Sequence, residues 1–191
     1  MRRVLALRPR IRSGCLALLP LAVASQAVAA PVTWSGNGHV YDTVTVPAGI
    51  GWAQAKLAAR SRGCGWYLAT VTSAAEDKFL SALVTSRIDL FIDGHGPWLG
   101  AHQHDSKAEP GGDWAWVTGE RFTFTHWNPG EPDNKTGGEP GFEPGIKAGQ
   151  SEEVLQYLAS RFWNDANVTA QAHGYVVEFD KPRQAACRKL G

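Results

Sequence analysis

Residues 39–46 (HVYDTVTV) alternate apolar with polar positions and are rich in β-branched side chains, which predicts a strand closed by Pro47. The period then changes. Residues 52–62 (WAQAKLAARSR) place Trp52, Ala55 and Ala59 on one helical face, with Gly63 as the stop signal. A short strand is predicted over 68–71. Ser73-Ala-Ala-Glu76 then reads as a capping box in front of Phe79, Leu80 and Leu83, whose spacing predicts a second helix. Beyond Ser86 the helical period is lost, and short aromatic or β-branched runs alternate with Gly, Pro and Asn turns. Strands are expected over 98–101, 114–117, 122–124, 154–158 and 174–179. Two early helices followed by a strand-rich half make an α+β domain.

One segment breaks this pattern. Residues 128–153 contain few apolar side chains and six carboxylates, Glu131, Asp133, Glu139, Glu143, Glu152 and Glu153, with only Lys135 and Lys147 as cations. A structureless loop of that length in a compact domain is either functional or disordered. Its acids repel one another unless a cation sits among them or water fully solvates each, and both readings stand at this level. Just downstream, Trp163-Asn164-Asp165 adds an amide oxygen and another carboxylate. Hard oxygen donors in this number suit calcium, which takes six to eight of them. Zinc would draw on nitrogen or sulfur, and the six histidines (His39, His95, His102, His104, His126, His173) show no ligand spacing. Each is read as a surface or hydrogen-bonded histidine.

Composition narrows the setting. The chain has 191 residues, 43% of them apolar, and a formal net charge of +1, which describes one domain rather than two. Five arginines (Arg2, Arg3, Arg8, Arg10, Arg12) precede an apolar run over 14–24 and the small triplet Ala27, Val28, Ala29. That order reads as a signal peptide over 1–29, and its apolar run is too short for a membrane anchor. Removing it takes the net charge from +1 to −4, which disfavours nucleic acid as a partner. Cys15 leaves with it. Cys64 and Cys187 remain as a possible disulfide for an exported chain, a pairing the sequence leaves open. The expected organisation is a lead-in over 30–38, a domain over 39–180 and a polar tail over 181–191.

From His39 to Asp180 the sequence resembles the C-type lectin-like domain, in particular its exported bacterial forms. The resemblance is carried by Trp52 with Ala55, Leu68-Ala-Thr-Val-Thr-Ser73 with Glu76, and Trp98-Leu99-Gly100. It continues through Trp114-Ala-Trp116-Val-Thr-Gly119, Trp127-Asn-Pro-Gly-Glu131-Pro132-Asp133-Asn134, Glu152-Glu153, Trp163-Asn164-Asp165 and Gly174-Tyr-Val-Val-Glu178. The fold it implies is two helices flanking two small antiparallel β-sheets, with a long loop region above. It also implies a calcium ion held by Glu131, Asp133, Glu152, Asn164 and Asp165, with Glu139, Glu143 or Glu153 as substitutes for Glu152. A cis peptide bond before Pro132 belongs to the same pattern. The same five residues would bind a glycan, since in this family two sugar hydroxyls complete the calcium shell and hydrogen-bond to its ligands.

Two departures qualify the resemblance. The family's mannose-type triplet pairs a Glu with an Asn and its galactose type a Gln with an Asp, whereas Glu131 and Asp133 can only accept when ionised. The four cysteine positions of the family are occupied by Ala59, Val154, Val168 and Val177, so packing would replace both bridges. Three functions stand against these features: a calcium-dependent carbohydrate-binding module, a calcium-ordered protein-binding or adhesion module, and an enzyme. The last is disfavoured because no nucleophile motif, Cys/His pair or phosphate-cradling glycine loop is found. A secreted, extracellular or periplasmic location follows from the signal peptide.

Overall fold

A computed structural model describes residues 30–104, 110–134 and 151–181. The predicted signal peptide, Cys15, Glu139, Glu143, Cys187 and nearly all of the tail lie outside the described residues. Strands β1 (Val32–Thr33) and β2 (Val40–Ile50) are followed by helix α1 (Trp52–Ser61), β3 (Trp66–Leu68) and helix α2 (Ala74–Thr85). A single 3-10 turn over Ile88–Leu90 leads to β4 (His95–Gln103), β5 (Trp114–Trp116), β6 (Val154–Leu158), β7 (Trp163–Ala166) and β8 (Ala172–Phe179).

The strands form two antiparallel ladders. In one, β8 lies between β2 and β3, with β1 on the outer edge of β2. In the other, β4 pairs with β5 and β6, and β6 with β7. A single parallel register, Trp98 opposite Tyr175, joins them into one mixed sheet. The fold is α+β, with each helix packed over its own apolar cluster. Trp52, Ala55 and Ala59 of α1 are buried, as their spacing predicts, and the Trp52 indole donates 2.7 Å to the Leu99 carbonyl. Leu80 and Val84 of α2 enter the second cluster, with Tyr157, Trp116 and Trp163. Gly100 is required where β4 crosses β3, because a Cβ there would lie 2.3 Å from the Leu68 carbonyl oxygen.

Three local expectations change. The residues at 122–124 form no strand. Phe122 and Phe124 turn inward against Trp114, Trp116 and Trp163, so ring packing takes the place of a ladder. The capping box at Ser73 closes on one side only: Ser73 accepts from the Glu76 amide, but the Glu76 carboxylate takes the amide and hydroxyl of Thr72. Its other oxygen accepts 2.6 Å from the buried Tyr41 hydroxyl. Of the four former cysteine positions, Ala59, Val154 and Val177 are buried together, while Val168 is half exposed. Cys64 is disulfide-bonded, and its expected partner Cys187 falls outside the described residues.

Tyr41 also links Glu76 to Glu178, the buried acid of β8, whose carboxylate accepts from Thr70 and from His39. Burial pushes the Glu178 carboxyl above its ordinary value of 4.5, against the Thr70 and His39 bonds that pull it down. A raised native pKa means the folded chain holds this proton more tightly than the unfolded chain, so this contribution is complete at acid pH and lost as pH rises through the native pKa. The stability of the parent relative to Glu178→Gln is therefore expected to fall as pH rises above the ordinary carboxyl value of 4.5, checked by denaturant unfolding at each pH.

Candidate functional site

Two limbs of chain meet at the end of the sheet. The first, residues 126–134, runs beside β7: the Trp163 amide donates to the His126 carbonyl (2.9 Å), the Asn128 amide to the Trp163 carbonyl (2.8 Å), and Trp127 pairs with Trp163 in a parallel bridge. Gly130 takes φ of 101°, a left-handed value suited to glycine, and the Glu131 amide closes the turn onto the Asn128 carbonyl at 2.8 Å. The Glu131–Pro132 peptide is cis. The second limb is β7 itself, which carries Asn164 and Asp165 at its centre.

Asp165 fastens one limb to the other. It is fully buried, and its carboxylate accepts the Asp133 amide at 3.2 and 3.3 Å and the Asn134 amide at 3.0 Å. Glu131, Asp133 and Asp165 consequently converge, each offering an oxygen within 4.8 Å of the others. Two ligands of one calcium, each about 2.3–2.6 Å from it, lie at most about 5 Å apart, so this spread fits a shared ion. Burial raises the Asp165 carboxyl above its usual range, opposed by hydrogen bonds with the Asn134 amide, Glu131 and the Asp133 amide. A carboxylate that holds a bare charge this reluctantly gains from a divalent cation.

The other two expected ligands stand close by along the chain but outside that trio. Glu152 is buried, and its amide donates 2.8 Å to the Asn134 side-chain oxygen, which ties the start of β6 to the first limb. Asn164 is 7% exposed and its side-chain nitrogen donates to the Asp165 carbonyl. Asn134 is the residue the sequence reading underrated. It takes φ of 53°, which Asn tolerates better than most residues, and it bonds to both Asp165 and Glu152. Its position directly after Asp133 in a turn-rich run was the available signal. Asn134-Lys-Thr136 and Asn167-Val-Thr169 are N-x-T sequences, and the side chains of Asn134 and Asn167 are engaged in hydrogen bonds, the second to the Ser151 carbonyl at 2.9 Å.

No family model matches the chain. A stretch of 118 residues is 31% identical to C-type lectin domain family 4 member G of Mus musculus, covering 61% of this chain and 32% of that protein. The solved structure of the C-type lectin CEL-I from Cucumaria echinata superposes with a TM-score of 0.59 at 23% identity, over 79% of this chain and 97% of that one. The cow CD23 C-type carbohydrate-recognition domain, solved in the presence of a GlcNAc2Man3 oligosaccharide, superposes with a TM-score of 0.54 at 23% identity, over 75% and 90%. The chain has the C-type lectin-like fold. The chain spans about half or less of the length of curated relatives it matches. The relatives named are animal proteins, and the bacterial affinity suggested by the sequence rests on that resemblance alone. Among the described residues, no helix of the C-type lectin-like domain is long and apolar enough to cross a membrane.

Proposed function

We propose that this C-type lectin-like domain is a calcium-dependent carbohydrate-binding module of an exported protein, with the ion held by Glu131, Asp133 and Asp165 and the shell completed from Glu152 and Asn164. The observation that carries the reading is the convergence of three carboxylates from two limbs within 4.8 Å. A cluster of like charge costs energy in the fold, and calcium would supply a positive centre that offsets it and offers open positions to paired hydroxyls. The protein's own contribution is to hold the limbs. Asp165 uses its carboxylate to clasp the 133–134 backbone, and Asn134 passes that clasp on to Glu152.

Glu131 and Asp133 are both acceptors when ionised, so a bound sugar receives no donated hydrogen bond from this pair. Asp133→Asn restores one donor and is expected to shift glycan preference and strengthen simple monosaccharide binding about 3- to 10-fold, one hydrogen bond's worth. A glycan array in calcium and in chelator, run with parent and variant, tests both points. Binding in chelator, or identical profiles for the two proteins, would contradict the reading. The acceptor-only pair also favours a second reading, a calcium-ordered adhesion module whose ligand is protein. Calcium-dependent capture that competing sugars fail to displace would select it. Export follows from the predicted signal peptide over 1–29, and the mature chain would begin at Ala30.

A further inference from the structure

Asp77 of α2 is 4% exposed and lies outside the acidic trio, yet its partners come from three separate parts of the chain. One carboxylate oxygen accepts the Tyr157 hydroxyl of β6 and the Trp163 indole N–H of β7, each at 2.9 Å. The other lies 2.7 Å from the His126 ring nitrogen Nδ1. Trp163 immediately precedes Asn164 and Asp165, and His126 opens the limb that carries Glu131 and Asp133. We propose that Asp77 is a positioning residue of the calcium site, fixing the two ligand-bearing limbs against each other from a helix outside both limbs. This inference rests on the calcium reading above.

The physical case begins with cost. A carboxylate buried to this degree is tolerated only when its charge is compensated, and here two donors share one oxygen while the His126 ring faces the other as an ion-pair contact. A purely local role would be met by donors on its own helix. Instead its donors are the residue beside the Asn164-Asp165 pair and a β6 tyrosine that is itself fully buried, and its ion-pair contact is with the residue at the head of the other limb. Backbone bonds between His126, Asn128 and Trp163 set the spacing of the limbs, and Asp77 sets the side chains that brace them. Metal distances tolerate only about 0.2 Å, so small shifts of either limb are felt at the ion. Loss of supporting groups behind metal ligands commonly costs about 10- to 100-fold in affinity.

The test is calorimetric calcium titration of the full chain as parent, Asp77→Ala, Asp77→Asn and His126→Phe, with thermal midpoints in chelator. His126→Phe keeps a ring against Phe162, 4.6 Å away between centroids, and removes only the tie to Asp77. Because the His126 side chain is 38% exposed, this variant is expected to fold even if Asp77→Ala does not, which its chelator midpoint checks. The expected result is calcium binding weakened about 10-fold in His126→Phe and more in Asp77→Ala, with its chelator midpoint unchanged in His126→Phe. Asp77→Asn, which keeps an acceptor for Trp163 and Tyr157, should recover much of the loss seen in Asp77→Ala. Parent binding with His126→Phe and Asp77→Ala within about twofold of it overturns the positioning role alone. A parent that binds no calcium overturns the underlying reading as well.

Discussion

Replacing Asp165 by alanine is expected to weaken calcium binding by about a hundredfold or more, the largest effect of any single ligand. The expectation comes from its double role. The carboxylate is one of three that converge, and it also accepts the Asp133 and Asn134 amides that hold the first limb in place. Each charge-assisted bond of that kind contributes about 1.5–3 kcal/mol, and about 1.4 kcal/mol corresponds to a factor of ten in binding. Glu131→Ala removes a ligand but leaves the clasp intact and should cost less. Calcium titration of both variants ranks them, and a Glu131→Ala defect larger than that of Asp165→Ala would contradict the clasp.

Trp163→Ala is expected to destabilise the fold by about 3–5 kcal/mol, a large share of the roughly 5–15 kcal/mol that domains possess. The ring is fully buried and packs edge-on against Trp116, Phe124 and Trp127. Loss of its indole N–H also leaves Asp77 one donor short. Trp98→Ala makes the informative comparison. Trp98 is equally buried but belongs to the other cluster, where its indole donates 2.7 Å to the Ile50 carbonyl. Both variants should lose similar stability in denaturant unfolding. Only Trp163→Ala should also lose calcium affinity at temperatures where each remains folded. Equal calcium affinity in the two would detach the aromatic cluster from the site.

The helices were legible because their signals are local. Trp52, Ala55 and Ala59 fall on one face by spacing alone, and Ser73 with Phe79, Leu80 and Leu83 marks the second helix by cap and period, although Val84 rather than Leu83 is the residue fully buried beside Leu80. The β6 boundaries were legible because five residues, all but one of them buried, stand between polar segments. Strand β7 was not, because Trp163-Asn164-Asp165-Ala166 carries two polar residues in a row and owes its conformation to pairing with β6. Phe122 and Phe124 misled for the converse reason: their alternation looked like a strand, but ring packing claimed both side chains. At the site, residue types and family spacing pointed to Glu131, Asp133 and Asp165 together. The hydrogen bonds that bind them, through Asn134, depend on long-range approach that no local pattern records.

Titration of calcium into chelator-stripped protein by calorimetry probes the whole account at its centre. A single saturable site, abolished or weakened about a hundredfold by Asp165→Ala and accompanied by a higher thermal midpoint, is the predicted result. Flat heats with an unmoved midpoint would mean that the three converging carboxylates hold no ion, and the lectin reading would fall with them.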